Sequence, residues 1–154
     1  MYEITIKNTP ETERFMKEQP AKYREFLLKG VKKAILFAEG EAKKSFNKPG
    51  NLHVRSGYLR RSIIGTVEDR YKYLVASLSS NVVYAAIHEY GGKIKAKNSA
   101  YLKFTVEGRW VTLKEVYIRP RPFLRPAVEK NLDKIEDIIS ETVTIGINKW
   151  QDMN

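Results

Sequence analysis

The chain has 154 residues, 42% of them hydrophobic and 30% charged, so it is long enough to bury a core and falls in the size range of one domain over 1–154. It has no cysteine, which excludes disulfides and thiolate metal sites, and no apolar run near the ~18 residues of a membrane helix. The net charge of +10 is uneven: residues 47–126 carry fifteen Lys/Arg against five Asp/Glu, whereas 127–154 carry three against six, a pattern for a polyanion partner, for subunits that meet head to tail, or simply for a solvated surface kept soluble by charge.

In chain order, Tyr2-Glu3-Ile4-Thr5-Ile6-Lys7 alternates with period two and predicts a short strand, with no basic region and apolar core of the kind that marks a signal peptide. Thr9-Pro10-Glu11 reads as an N-cap, a proline at the first helical position and an acid in the first turn, opening a helix to about Glu18. Pro20 restarts it. Tyr23, Leu27, Val31, Ala34, Ile35, Ala38, Ala42 and Phe46 recur at three- and four-residue spacing, which predicts a long helix over 20–46. Gly30, Ala34, Ala38 and Ala42 leave room for a close neighbour, and the apolar surface is wide enough for contacts on two sides.

Asn47-Lys48-Pro49-Gly50-Asn51 ends that helix with turn residues. The stretch 47–61 then reads as a mobile loop flanked by Arg55, Arg60 and Arg61, with His53 a surface histidine that has no partner at ligand or triad spacing. Runs at 63–67 and 71–78, rich in β-branched and aromatic residues, predict a hairpin turning at Glu68-Asp69-Arg70. Asn81 is placed to cap a short apolar helix near 82–90, which Gly91-Gly92 ends.

Lys93-Ile94-Lys95-Ala96-Lys97 is a basic alternating stretch. Two strands joined by Glu107-Gly108-Arg109 follow, and Glu115-Val116-Tyr117-Ile118 leads out of them. Prolines 120, 122 and 126 impose an extended path. Val128, Leu132, Ile135, Ile139, Val143, Ile147 and Trp150 then mark a second long helix over 126–150, with Gly146 weakening its end. The expected fold class is α+β: an antiparallel or mixed sheet of about four to five strands, the two long helices packed on one face, plus the short helix near 82–90.

Signals for catalysis are weak. His88-Glu89 lacks the second histidine of a zincin motif, two histidines make a poor transition-metal set, and no nucleophile elbow, phosphate loop or dinucleotide fingerprint occurs. The expectation is no enzyme, no cofactor and no metal, with Glu89 paired to an arginine of the 119–125 run rather than acting as a base. Nucleic-acid contact fits better. Arg55, Arg60, Arg61, Lys93, Lys95 and Lys97, with Arg119, Arg121 and Arg125, are placed to neutralise phosphates, and no recognition-helix or zinc-finger signature accompanies them. Such contact would be to the backbone and indifferent to sequence.

Three runs together resemble a known family. Ser56-Gly57-Tyr58-Leu59-Arg60-Arg61-Ser62-Ile63, Val83-Tyr84-Ala85-Ala86-Ile87-His88-Glu89-Tyr90-Gly91 and Arg121-Pro122-Phe123-Leu124-Arg125-Pro126-Ala127 resemble, in order, the motifs of tailed-phage neck and tail-completion proteins, also described as minor tail component or virion morphogenesis proteins. The resemblance covers roughly residues 20–145. It implies a structural protein of the virion, made in the host bacterial cytoplasm. It also implies a small α+β fold without enzymatic activity, assembling as a homo-oligomeric ring at the head–tail junction or tail terminus with other neck or tail proteins. Gly57, Leu59, Tyr84, Glu89, Gly91, Pro122, Phe123 and Pro126 would be positions that shape the subunit, and the basic 47–61 loop would face the DNA channel. The alternative reading is a basic, sequence-neutral nucleic-acid-binding module.

Overall fold

The computed structural model describes residues 9–70, 73–97 and 99–153. The strand expected over 2–7 lies outside them. Helix α1 (Pro10–Glu18) begins as its sequence requires: the Thr9 hydroxyl accepts the Thr12 N–H at 3.2 Å, and Pro10 fills the first helical position, where a missing N–H costs nothing. Helix α2 (Pro20–Lys44) follows, burying Tyr23, Phe26, Gly30, Ala34, Ile35, Ala38 and Ala42.

The width of that apolar surface is used within the chain. Helix α6 (Leu132–Gln151) packs against α2, and so does a ribbon of strands β1 (Ile63–Arg70) and β2 (Tyr73–Ser80). Small residues set both distances of approach. A Cβ on Gly30 would sit 3.1 Å from the Cα and carbonyl oxygen of Ile139, and one on Gly65 would sit 2.8 Å from Ile35 Cγ1. The Gly65 N–H also donates to Glu39 Oε2 at 2.8 Å, joining ribbon to helix by a bond as well as by packing. Glu39 is held below the usual carboxylate range, first by its bond from Lys43 and then by this N–H. Gly146 has a packing role. A Cβ there would lie 2.6 Å from Phe26 Cγ, and the helix continues past it to Gln151. Phe15 of α1 closes this end, edge-on to Trp150 with ring centroids 5.3 Å apart.

Three expectations change. Among the described residues the strands form three separate two-stranded antiparallel ribbons, not one sheet of four to five strands. The second and third are β3 (Gly92–Lys95) with β6 (Glu115–Ile118), and β4 (Leu102–Val106) with β5 (Arg109–Leu113). The long helices therefore do not lie side by side on one sheet: α2 stands between α6 and the β1–β2 ribbon, where Ala34, Ile35, Ala38, Ile135 and Ile139 form a common core with Val67 and Leu78 at its edge. The helix expected over 126–150 is two, α5 (Arg125–Glu129) and α6, because Asn131 leaves the helical region (φ −126°, ψ 16°) and its amide donates back to the Ala127 carbonyl at 3.0 Å.

Two smaller differences follow from local chemistry. Glu68, Asp69 and Arg70 belong to β1, not to a turn, and Arg24 of α2 holds them there by an ion pair to Asp69 and a 2.6 Å bond to the Arg70 carbonyl. The short helix α4 spans Ala85–Tyr90, one turn beyond the cap expected at Asn81. The hairpin β4–β5 turns on Glu107-Gly108, both at positive φ (49° and 77°), as a two-residue turn of right-twisted strands requires.

Candidate functional site

The three runs that carry the family resemblance are far apart in sequence and meet in one buried cluster. Leu59 and Ile63 come from the first run, Ala85 from the second, Phe123 and Ala127 from the third; Ala42, Phe46, Leu52 and Val82 complete it. Leu59 sits on a single helical turn, α3 (Tyr58–Arg61), which Gly57 opens at φ 73°. Leu52 anchors the loop before it, and the Asn47 side chain accepts the Val54 N–H at 2.8 Å. The basic stretch 47–61 is thus tied to the core at Leu52 and Leu59.

Glu89 is the tightest joint in this cluster. It is 2% exposed, and its carboxylate accepts three backbone N–H groups: Phe123 at 2.7 Å and Leu124 at 3.0 Å on Oε2, and Arg125 at 2.9 Å on Oε1. The sequence reading assigned Glu89 an arginine partner in this same run. The partner segment is right and the chemistry differs: the carboxylate takes the backbone N–H groups of the two residues leading into α5 (Arg125–Glu129) and of its first residue. The Arg121 N–H donates to the His88 carbonyl at 2.7 Å, so the two runs are laced by four bonds in succession. Gly91 (φ 72°) lets the chain turn away. A Cβ there would come 2.8 Å from Pro120 Cδ and 3.0 Å from the Ile118 carbonyl. Pro122 and Pro126 are half-buried beside Phe123, whose ring lies 5.3 Å from that of Phe46. These positions are used in packing and in backbone turns of the fold.

Above this joint the surface is hollow and basic. Two adjoining hollows of about 680 and 560 Å³ are lined by Lys43, Arg55, Arg60 and Arg61 in the first and by His53, Tyr58, Tyr84, His88 and Arg121, again with Arg55 and Arg60, in the second. Arg55, Arg60, Arg61 and Arg121 take part in no ion pair among the described residues. Lys93 and Lys95 behave differently. They lie on the β3–β6 ribbon and bracket Glu115 at 3.1 and 3.6 Å, holding that carboxyl below its ordinary range. Of the nine cations singled out in the sequence, Arg55, Arg60, Arg61 and Arg121 line the cleft, whereas Lys93 and Lys95 lie on the ribbon, with Lys97 just beyond its end. Lys43, His53 and His88 join the cleft set only in three dimensions.

His88 lies edge-on to Tyr84 with centroids 6.0 Å apart. Its pKa is held below its ordinary 6.5, first by burial and then by the nearby Arg121 guanidinium. The sign follows from linkage: the unfolded chain takes up the proton first, so stability is complete above pH 6.5 and is lost as pH falls toward the folded value. His88→Gln is expected to reduce the drop in urea midpoint between pH 7.5 and pH 5; an unchanged drop would show that the acid sensitivity arises elsewhere.

Comparison with family models, with curated proteins and with solved structures returns no match for this chain.

Proposed function

We propose that this protein is a structural component of a tailed phage or prophage, joining head to tail or completing the tail, and that it works as a subunit of a ring around the DNA channel. The observation that carries this reading is the convergence of the three motif runs. Two of the runs are laced by a buried carboxylate and four backbone N–H bonds, and the third packs against them through Leu59 and Ile63. Residues that serve only to shape a subunit are what an assembly protein needs. The cleft fits the same reading. Its arginines are exposed and take part in no ion pair among the described residues, and they present charge without a base-reading element, which suits weak contact with passing phosphates. A catalytic use of Glu89 is not proposed, because its two oxygens are occupied by backbone donors.

The alternative, a sequence-neutral nucleic-acid-binding module without an assembly role, is favoured by the same unpaired arginine cleft alone. Genetics separates the two. Deleting the gene from the phage or prophage that carries it is expected to leave filled heads and tails that do not join, visible by electron microscopy. Normally joined virions in its absence would overturn the assembly reading and leave the binding module.

A further inference from the structure

Residues 92–118 stand apart from the rest of the chain. None of the described residues among them is buried, although they form two ribbons containing Ile94, Phe104, Val106, Trp110, Leu113 and Tyr117. No member of a buried core cluster comes from this segment. A two-stranded ribbon is marginal in water by itself, so exposed ribbons of this composition call for a covering surface. Register shows which side chains share a face. Paired residues lie on the same side of a ribbon, so Trp110 stands with Thr105, Lys103 and Thr112, and Tyr117 stands with Lys93, Lys95 and Glu115. Each ribbon thus presents one protruding aromatic, Trp110 at 78% exposed with Lys103 beside it and Tyr117 at 60% with Lys93 and Lys95. Large aromatics in such positions are the usual anchors of protein interfaces.

A surface of complementary character exists on the same molecule. The outer side of α6 carries Asp133, Asp137 and Glu141 at four-residue spacing, followed by Thr144 and the half-exposed Ile145. None of the three acids takes part in an ion pair among the described residues. The ribbon segment carries six Lys/Arg against two Asp/Glu. We propose that residues 92–118 of one copy dock, through Trp110 and Tyr117, on the acidic outer face of α6 of a second copy. The two surfaces differ, so the contact is heterologous and repeats from copy to copy. Opposite charges steer the encounter and choose the register, and the aromatics supply the buried area. The inference adds to the ring reading the surfaces by which subunits meet; the contact itself does not depend on a phage role.

The absence of cysteine permits a clean test. A copy carrying Thr112→Cys, an exposed position on the face of Trp110 that leaves the aromatic in place, and a Thr144→Cys copy are mixed at high concentration and oxidised. Disulfide-linked dimer is expected in the mixture at a yield at least tenfold above either copy alone. Adding Asp133→Lys, Asp137→Lys and Glu141→Lys to the helix copy should abolish that dimer. Combining it with a ribbon copy that also carries Lys93→Glu, Lys103→Glu and Arg109→Glu should restore it, which a folding defect would not do. Urea midpoints check that each variant is folded. No dimer in the mixture, dimer mainly from Thr112→Cys alone, or no restoration by the paired charge reversal would each overturn the proposal. So would loss of duplex DNA binding as the sole effect of the ribbon reversals, which would make the ribbons a nucleic-acid surface. Unjoined heads and tails on gene deletion, together with no mixed dimer, would refute this contact and leave the assembly role; mixed dimer with normal virions would do the reverse.

Discussion

Glu89→Ala is expected to destabilise the protein by about 3–5 kcal/mol, since it leaves three buried or half-buried N–H groups without an acceptor at roughly 1–3 kcal/mol each. That is a large part of the roughly 5–15 kcal/mol that holds a domain of ordinary stability, and it corresponds to a fall of about 10 °C or more in Tm. The bonds at stake are those of Phe123, Leu124 and Arg125 N–H to the two carboxylate oxygens. Glu89→Gln keeps the shape and one acceptor oxygen but turns an NH2 toward a donor, so about half the loss is expected. Arg121→Ala and Arg125→Ala separate this arrangement from a side-chain ion pair. Both guanidinium groups lie on exposed residues, and their removal should change stability by less than about 0.5 kcal/mol. Urea unfolding with unchanged slope is the measurement. A Glu89→Ala midpoint close to the parent's, or an equal loss in Arg121→Ala, would mean that the joint is not held by the backbone donors.

The second large effect concerns the cleft. Replacing Arg55, Arg60 and Arg61 together with Ala is expected to weaken binding to random-sequence duplex DNA by on the order of 10³–10⁴-fold at 50 mM salt, with the difference vanishing near 1 M. Each phosphate contact contributes about 0.9 to the slope of log affinity against log salt, so three lost contacts should lower it by about 2.7. The fold should survive, because all three residues are exposed and outside the buried clusters. Fluorescence anisotropy across a salt series reads both quantities. An unchanged slope would remove DNA from the cleft, whereas a slope change that depends on DNA sequence would contradict backbone-only contact.

The two sets of cations show where sequence reading stops. Arg55, Arg60 and Arg61 lie close together in the chain, and their grouping is legible from it. Their separation from Lys93 and Lys95 is not, because it depends on Glu115 arriving beside those lysines when β6 pairs with β3 across the intervening β4–β5 hairpin. Glu89 gives the same lesson in another form. Its importance was readable from its motif, and its partner segment was identified. Its partner atoms are backbone amides, which every residue but proline carries and which no sequence pattern distinguishes.

What the sequence determined by itself is local. The 3.6-residue apolar period placed α2 within two residues of its observed end, Thr9-Pro10 placed the start of α1, and the turn residues Glu107-Gly108-Arg109 placed the β4–β5 hairpin, whose second strand takes in Arg109. These depend on neighbours along the chain, and their free energies are set within a few residues. Tertiary structure alone decided the break between α5 and α6, the placing of α2 between α6 and a ribbon, and the gathering of three motif runs into one buried cluster. Those outcomes rest on close approach at Gly30, Gly65 and Gly146 and on buried donors that need an acceptor. Both are properties of surfaces that meet only when the whole chain has folded.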